Sequence, residues 1–133
     1  RVAITQGLGN SVADRAKSVA SAGPLLVMNG RASVQSSKEE IASDISYGRA
    51  PRTAVGMKAD GTVLIVVADG RSATSVGMTL GELANYFVRL KADRAMNFDG
   101  GGSSEMVVNG SIMNEPSDGS ERPVRVALGV FSK

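Results

Sequence analysis

Hydrophobic and polar positions alternate between two periods along this chain, and the changes of period mark its elements. Val2 to Ile4 is short and β-prone. Across residues 12–20, Val12, Ala16, Val19 and Ala20 recur on one helical face, with Asn10 or Ser11 as cap. Gly23-Pro24 ends that stretch, and residues 25–28 read as a buried strand closing in the turn Asn29-Gly30. Residues 32–49 are polar and poorly periodic, a surface excursion with a helical turn near 38–42. Pro51 forces an extended entry into a strand over 52–58. Asp60-Gly61 then predicts a hairpin into residues 62–68. That second strand is apolar on both faces, which predicts a central place in a sheet.

Thr79-Leu80-Gly81-Glu82 is a capping box, and Leu80, Leu83, Ala84, Phe87 and Leu90 follow at helical spacing to about Lys91. Residues 94–98 form a strand that runs into Asp99-Gly100-Gly101-Gly102. A hairpin over 106–113 turns at Asn109-Gly110, and the alternating stretch 124–131 predicts a closing strand. Hairpins with two main helices give an α+β fold with a mixed, largely antiparallel sheet.

The length of 133 residues fits a single domain over 1–133, large enough to hide about two-thirds of its unfolded surface without covalent staples. There is no Cys and no His, which excludes disulfides, thiolate sites, Ser-His-Asp catalysis and most zinc sites. Acid–base chemistry falls to Asp, Glu, Lys, Tyr or a metal-bound water. A net charge of +2, with two Tyr and three Phe, argues against nucleic-acid binding. The longest apolar run, residues 63–68, is too short to cross a bilayer as a helix. The six methionines read as core filler, and Lys38-Glu39-Glu40 as a solvated face.

Four polar strings fall at strand ends or turns: Pro51-Arg52-Thr53, Asp69-Gly70-Arg71, residues 97–104, and residues 114–123. The glycine run Gly100-Gly101-Gly102 reaches positive φ without penalty, and its N–H groups suit an anion-binding nest, with Ser103 and Ser104 as hydroxyl donors. The run lacks the Lys-Ser/Thr ending of a nucleotide-binding P-loop. Taken alone it reads as a tight turn. Asp69 after an apolar strand is either a carboxylate with a perturbed pKa or a turn residue bonding locally, and the two readings are evenly matched. Glu121-Arg122 reads as a surface ion pair. Arg52, Arg71 and Arg122 carry guanidinium forks suited to a phosphodiester wherever two of them converge.

In this order and spacing, six strings resemble the phosphodiester glycosidase family: residues 22–26, 52–56, 67–71, 77–84, 97–104 and 114–124. The resemblance covers about 22–130. It lacks the family's upstream Asn-Gly-Gly-Phe-type segment, and Glu105 stands where Thr is more usual. It implies a domain truncated at its N-terminal side and hydrolysis of a sugar-1-phosphodiester, of N-acetylglucosamine or phosphoglycan type, at the anomeric C–O bond. It also implies a bacterial protein placed outside the cytoplasm, in the envelope, periplasm or medium. Under that resemblance Asp99 and Asp69, then Asp118 and Glu121, are the candidate catalytic carboxylates. Arg52, Arg71, Arg122, Gly100, Gly101, Gly102, Ser103, Ser104 and Asn114 are candidate substrate ligands. No cofactor is expected.

Two alternatives stand beside this reading. A metal-assisted phosphodiesterase would gather Asp69, Asp99, Asp118 and Glu121 around a divalent ion. A non-catalytic glycan-binding fragment would bind sugar without turnover. Sheet edges left unpaired would be closed by self-association or by a retained, cleaved N-terminal piece.

Overall fold

The computed structural model describes residues 2–5, 16–36 and 38–131. Two antiparallel sheets are present among them. The larger has the order β2-β1-β5-β3-β4, built from β1 (Leu25–Met28), β2 (Arg31–Ala32), β3 (Arg52–Met57), β4 (Val63–Ala68) and β5 (Arg94–Asn97). The smaller is the hairpin of β6 (Val107–Val108) and β7 (Ser111–Ile112). The helices are α1 (Ser43–Tyr47) and α2 (Leu80–Arg89). The α+β fold expected from the periodicities is the one observed.

The capping box places the start of α2. Thr79 Oγ1 accepts the Glu82 N–H at 3.2 Å, and Glu82 Oε2 accepts the Thr79 N–H at 2.9 Å. That second bond holds the Glu82 carboxyl below the usual carboxylate range, with Arg49, its ion-pair partner, helping. Leu80, Leu83, Ala84 and Phe87 are fully buried against Leu26, Val27, Ala54 and Ala95 on one face of the sheet. On the other face Leu25 and Val55 pack with Ile4, flanked by Met28, Met57, Met96 and Phe98. In β3 and β5 neighbouring residues thus serve opposite cores, as a period of two requires, whereas in β1 Leu26 and Val27 share one core where the register with β5 shifts.

Several expectations are corrected. The helix expected over 12–20 falls mostly outside the described residues, and residues 16–20 are not helical. The helical turn expected near 38–42 comes later, as α1. β4 is not central: it pairs only with β3 and is an edge strand among the described residues, with Val63 and Ile65 exposed. Apolar side chains on both faces permit burial on both but do not impose it: Leu64 and Val66 pack on the core while Val63 and Ile65 face away. Residues 124–131 alternate in polarity but form no strand, and Val124, Val126, Leu128 and Val130 are exposed. Met113 is also exposed and fills no core, and Glu39, expected in solvent, accepts the Leu25 N–H at 3.1 Å.

Topology gathers the polar strings. β3 runs antiparallel to both β4 and β5, with Arg52 opposite Ala68 and Ala54 opposite Asn97. The start of β3 therefore lies beside the ends of β4 and β5. Three of the four strings meet at this one end of the sheet, and the fourth packs on them.

Candidate functional site

The glycine run leaves β5 and closes at once into a 3-10 turn, Gly101–Ser103. The Gly101 N–H is anchored on Pro51 O at 2.9 Å, and those of Ser103 and Ser104 close on Gly100 O and Gly101 O. Asp99 Oδ1 accepts the Gly100 N–H at 3.0 Å. Four of the five N–H groups from 100 to 104 are thereby engaged, three within the loop and one on Pro51. The open nest expected from the sequence is largely closed, and anion recognition passes to the side chains around it.

Those side chains are close-fitted. Gly101 has a φ of 58°, and a methyl group added to it would meet Arg71 Nη1 at 3.1 Å. Arg71 is itself left-handed, at φ 57°, a conformation that costs a non-glycine residue about 1–2 kcal/mol and that brings its guanidinium onto the turn. A methyl group at Gly102 would fall 2.1 Å from Asp118 Oδ2, so the Asp118 carboxylate rests on a bare Cα. Arg122 ties Asp118 to the turn: Nη1 donates to Asp118 Oδ2 at 3.2 Å and Nη2 to Ser103 Oγ at 2.7 Å. The ion pair expected between Glu121 and Arg122 is thus made with Asp118 instead. Ser104 is buried, and its Oγ accepts from Thr53 Oγ1 at 3.2 Å.

Asn114 and Asp69 form a second cluster behind the turn. Asp69 Oδ1 accepts from Asn114 Nδ2 and from the Glu115 N–H, both at 3.0 Å. Asn114 Nδ2 also donates to Ser104 O at 3.1 Å, and Asn114 Oδ1 accepts the Met106 N–H at 2.8 Å. Neither of the two readings of Asp69, perturbed acid or local turn, anticipates this long-range bond.

Arg52 differs from its expected role. Its side chain is buried, with Nε donating to Met78 O at 2.9 Å and Nη2 to Ile45 O and Gly48 O, each at 2.8 Å. Burial, then the nearby Arg71 cation, lowers its pKa from the ordinary arginine value. The guanidinium ties α1 and the start of α2 to β3 and does not pair with Arg71 or Arg122 around an anion.

Asp99 is exposed, and among the described residues no hydrogen bond joins it to Asp69, Asp118 or Glu121. Those four acids do not gather, and no cluster of three or more potential metal ligands exists among the described residues. Glu105 was passed over in the sequence. Partial burial, then repulsion from the facing Glu121 carboxylate, pushes its pKa above the ordinary glutamate value. Only its departure from the family's usual Thr marks it in the sequence, because the Glu105–Glu121 approach depends on how residues 114–122 fold back. The hollow lined by Met28, Asn29 and Arg31 opens at the opposite end of the sheet and touches none of these groups.

Comparison with known proteins adds kinship to this geometry. The SPbeta prophage-derived protein YomE of Bacillus subtilis is 43% identical over 74 residues, which is 56% of this chain and 12% of that protein. The N-acetylglucosamine-1-phosphodiester alpha-N-acetylglucosaminidase of Mus musculus is 39% identical over 67 residues, 50% of this chain and 13% of that enzyme. The chain therefore spans about an eighth of the length of these relatives. The zebrafish catalytic domain of the same enzyme, solved in a form auto-inhibited by its pro-peptide, superposes with a TM-score of 0.66 at 27% identity. That match covers 73% of this chain and 34% of the zebrafish one. No helix among the described residues is long and apolar enough to cross a membrane. The profile of the phosphodiester glycosidase family matches residues 2–131, and the chain belongs to that family.

Proposed function

We propose that this chain carries the phosphate-binding end of a glycosidase site that hydrolyses a sugar-1-phosphodiester, of N-acetylglucosamine type, at the anomeric C–O bond. The observation that carries the reading is Arg122, whose fork already spans an anion, the Asp118 carboxylate, and the Ser103 hydroxyl across the bare Cα of Gly102. Arg71 lies against the neighbouring glycine. A phosphodiester brings one negative charge on two accessible oxygens, and two guanidinium groups beside a side-chain-free turn suit it.

The departing phosphodiester is already a stable anion, so it needs little protonation to leave. What the reaction needs is charge stabilisation on the phosphate and a carboxylate for the water or the oxocarbenium-like sugar. Arg122, Arg71 and Ser103 take the first part in this reading. Asp99, exposed at the mouth of the turn, and Asp118, freed from Arg122 when phosphate displaces it, take the second. Glu105, whose pKa is raised by partial burial and then by the facing Glu121 carboxylate, supplies what proton is needed in this reading. A location outside the cytoplasm, in a bacterial source, belongs to the same proposal and rests on kinship alone.

The test is turnover of an N-acetylglucosamine-1-phosphodiester in labelled water. Free sugar bearing the label, lost in Asp99→Asn and weakened in Arg122→Ala, is the expected result. Label on the phosphate would mean P–O cleavage and would overturn the proposal in favour of a phosphodiesterase. Saturable sugar binding with no product would assign the chain to glycan recognition.

A further inference from the structure

Asp69 was expected to act as a reacting acid, yet its hydrogen bonds point inward to the protein frame. Its Oδ1 takes two N–H donors, one from the Asn114 side chain and one from the Glu115 backbone. Its backbone carbonyl takes a third contact, the Ser75 hydroxyl at 2.7 Å. The Asn114 amide is saturated in turn. Both protons on Nδ2 are used, on Asp69 Oδ1 and Ser104 O, and Oδ1 holds the Met106 N–H. A flipped amide would face two acceptors with an oxygen and one donor with an NH₂, so a single orientation satisfies all three contacts.

The placement of these contacts is informative. Ser104 O and the Met106 N–H belong to the peptide groups on either side of Glu105. One side chain therefore grips the backbone both before and after a single residue. Ser104 is also the residue whose N–H closes the 3-10 turn on Gly101 O.

We propose that Asp69 and Asn114 are a positioning pair: Asp69 orients the Asn114 amide, and that amide pins the chain on both sides of Glu105, fixing the Gly101–Ser103 turn and the Glu105 carboxyl for the reaction. The inference rests on the phosphodiester-cleaving reading for its effect on turnover, but the grip itself is independent of that reading. It makes a specific distinction at Asp69. A reacting carboxylate needs its charge, whereas a positioning acceptor needs only one oxygen. Asparagine supplies that oxygen at the Oδ1 place and keeps both bonds.

The experiment compares wild type, Asp69→Asn, Asp69→Ala and Asn114→Ala as full chains. Thermal melting screens each for folding. Backbone amide exchange is followed at Met106 and Glu115, and kcat and KM are measured on an N-acetylglucosamine-1-phosphodiester. Asp69→Asn is expected to keep both amides protected and turnover close to wild type. Asn114→Ala is expected to release the Met106 amide, and Asp69→Ala the Glu115 amide. Both should lower kcat on the order of 100-fold with KM little changed, the size of effect that a misplaced group produces. Loss of turnover in Asp69→Asn with its amides still protected would overturn the proposal and make Asp69 a reacting group. An unchanged kcat in Asn114→Ala would overturn it as well. Should wild type itself release no sugar, the functional reading fails separately and exchange alone decides. Protection in wild type and Asp69→Asn, lost in the other two, keeps the pair; free exchange at Met106 and Glu115 in wild type removes it.

Discussion

The five-stranded sheet with α2 and the segment after residue 105 are held by different means. The first is dry: Phe87, Leu80, Leu83, Leu26 and Val27 are fully buried around a paired backbone. The second is attached by polar contacts, chiefly Asn114 on Asp69 and Arg122 on Ser103, and it leaves Val107, Ile112, Val126 and Leu128 exposed. Hydrophobic burial is non-directional and forgiving of detail, so it builds a frame. Directional hydrogen bonds between partners distant in sequence fix atoms but contribute little net stability, so they build a site. Substitutions should therefore separate the two regions, with large losses of stability in the first and large losses of geometry in the second.

Phe87→Ala should have the largest effect on stability, about 3–5 kcal/mol, because a fully buried ring leaves a cavity that the paired strands cannot close. Denaturant unfolding would measure it, and a loss below about 1 kcal/mol would mean the core is not rigidly packed. Arg52→Met comes next. It keeps the bulk of the side chain but strands the carbonyls of Met78, Ile45 and Gly48, at a cost of about 2–4 kcal/mol. An unchanged melting curve would show that water replaces the guanidinium there. Thr79→Ala removes the cap of α2 and should cost about 1 kcal/mol by the same unfolding assay.

Glu105→Gln tests the second region through pH. The folded state raises the Glu105 pKa, so it holds that proton more tightly than the unfolded chain does. The resulting stabilisation is fully present below the unfolded pKa and is lost as pH rises through the folded pKa. Wild type should thus fall behind Glu105→Gln between acid and neutral pH, with the gap constant above that window. Melting curves across the range would show the gap, and its absence would mean that neither burial nor the Glu121 carboxylate raises the Glu105 pKa. Leu128→Ala should have the smallest effect, within about 0.5 kcal/mol, because an exposed side chain has little to lose. A larger loss would show that this segment is packed in solution.

How much of this was legible follows the same division. α2 was readable because its capping box and its 3.6-residue stripe are local, and the structure returns both. The hairpin at Asp60-Gly61 was readable for the same reason, with β3 and β4 paired in one continuous register. The place of β4 at an edge was not, since pairing depends on which other segments arrive. The alternation over 124–131 states what a strand would need and says nothing about whether a partner exists. At the site, the four polar strings lie together, and the antiparallel order explains why three of them meet. Individual roles were less readable. Arg52 reads as a free cation until the three carbonyls around it are known, and the bond from Asn114 to Asp69 spans 45 residues.

The glycine triplet, finally, limits how this protein can be altered. A side chain at Gly100 would press on Pro51 O at 2.8 Å, one at Gly101 would meet Arg71, and one at Gly102 would displace Asp118. Three adjacent identical letters thus answer to three unrelated neighbours, and no single compensating change elsewhere relieves all of them. A mutational library would find this loop barren. Arg71 and Asp118, which face Gly101 and Gly102 from outside, are fitted to the same unchanging mould.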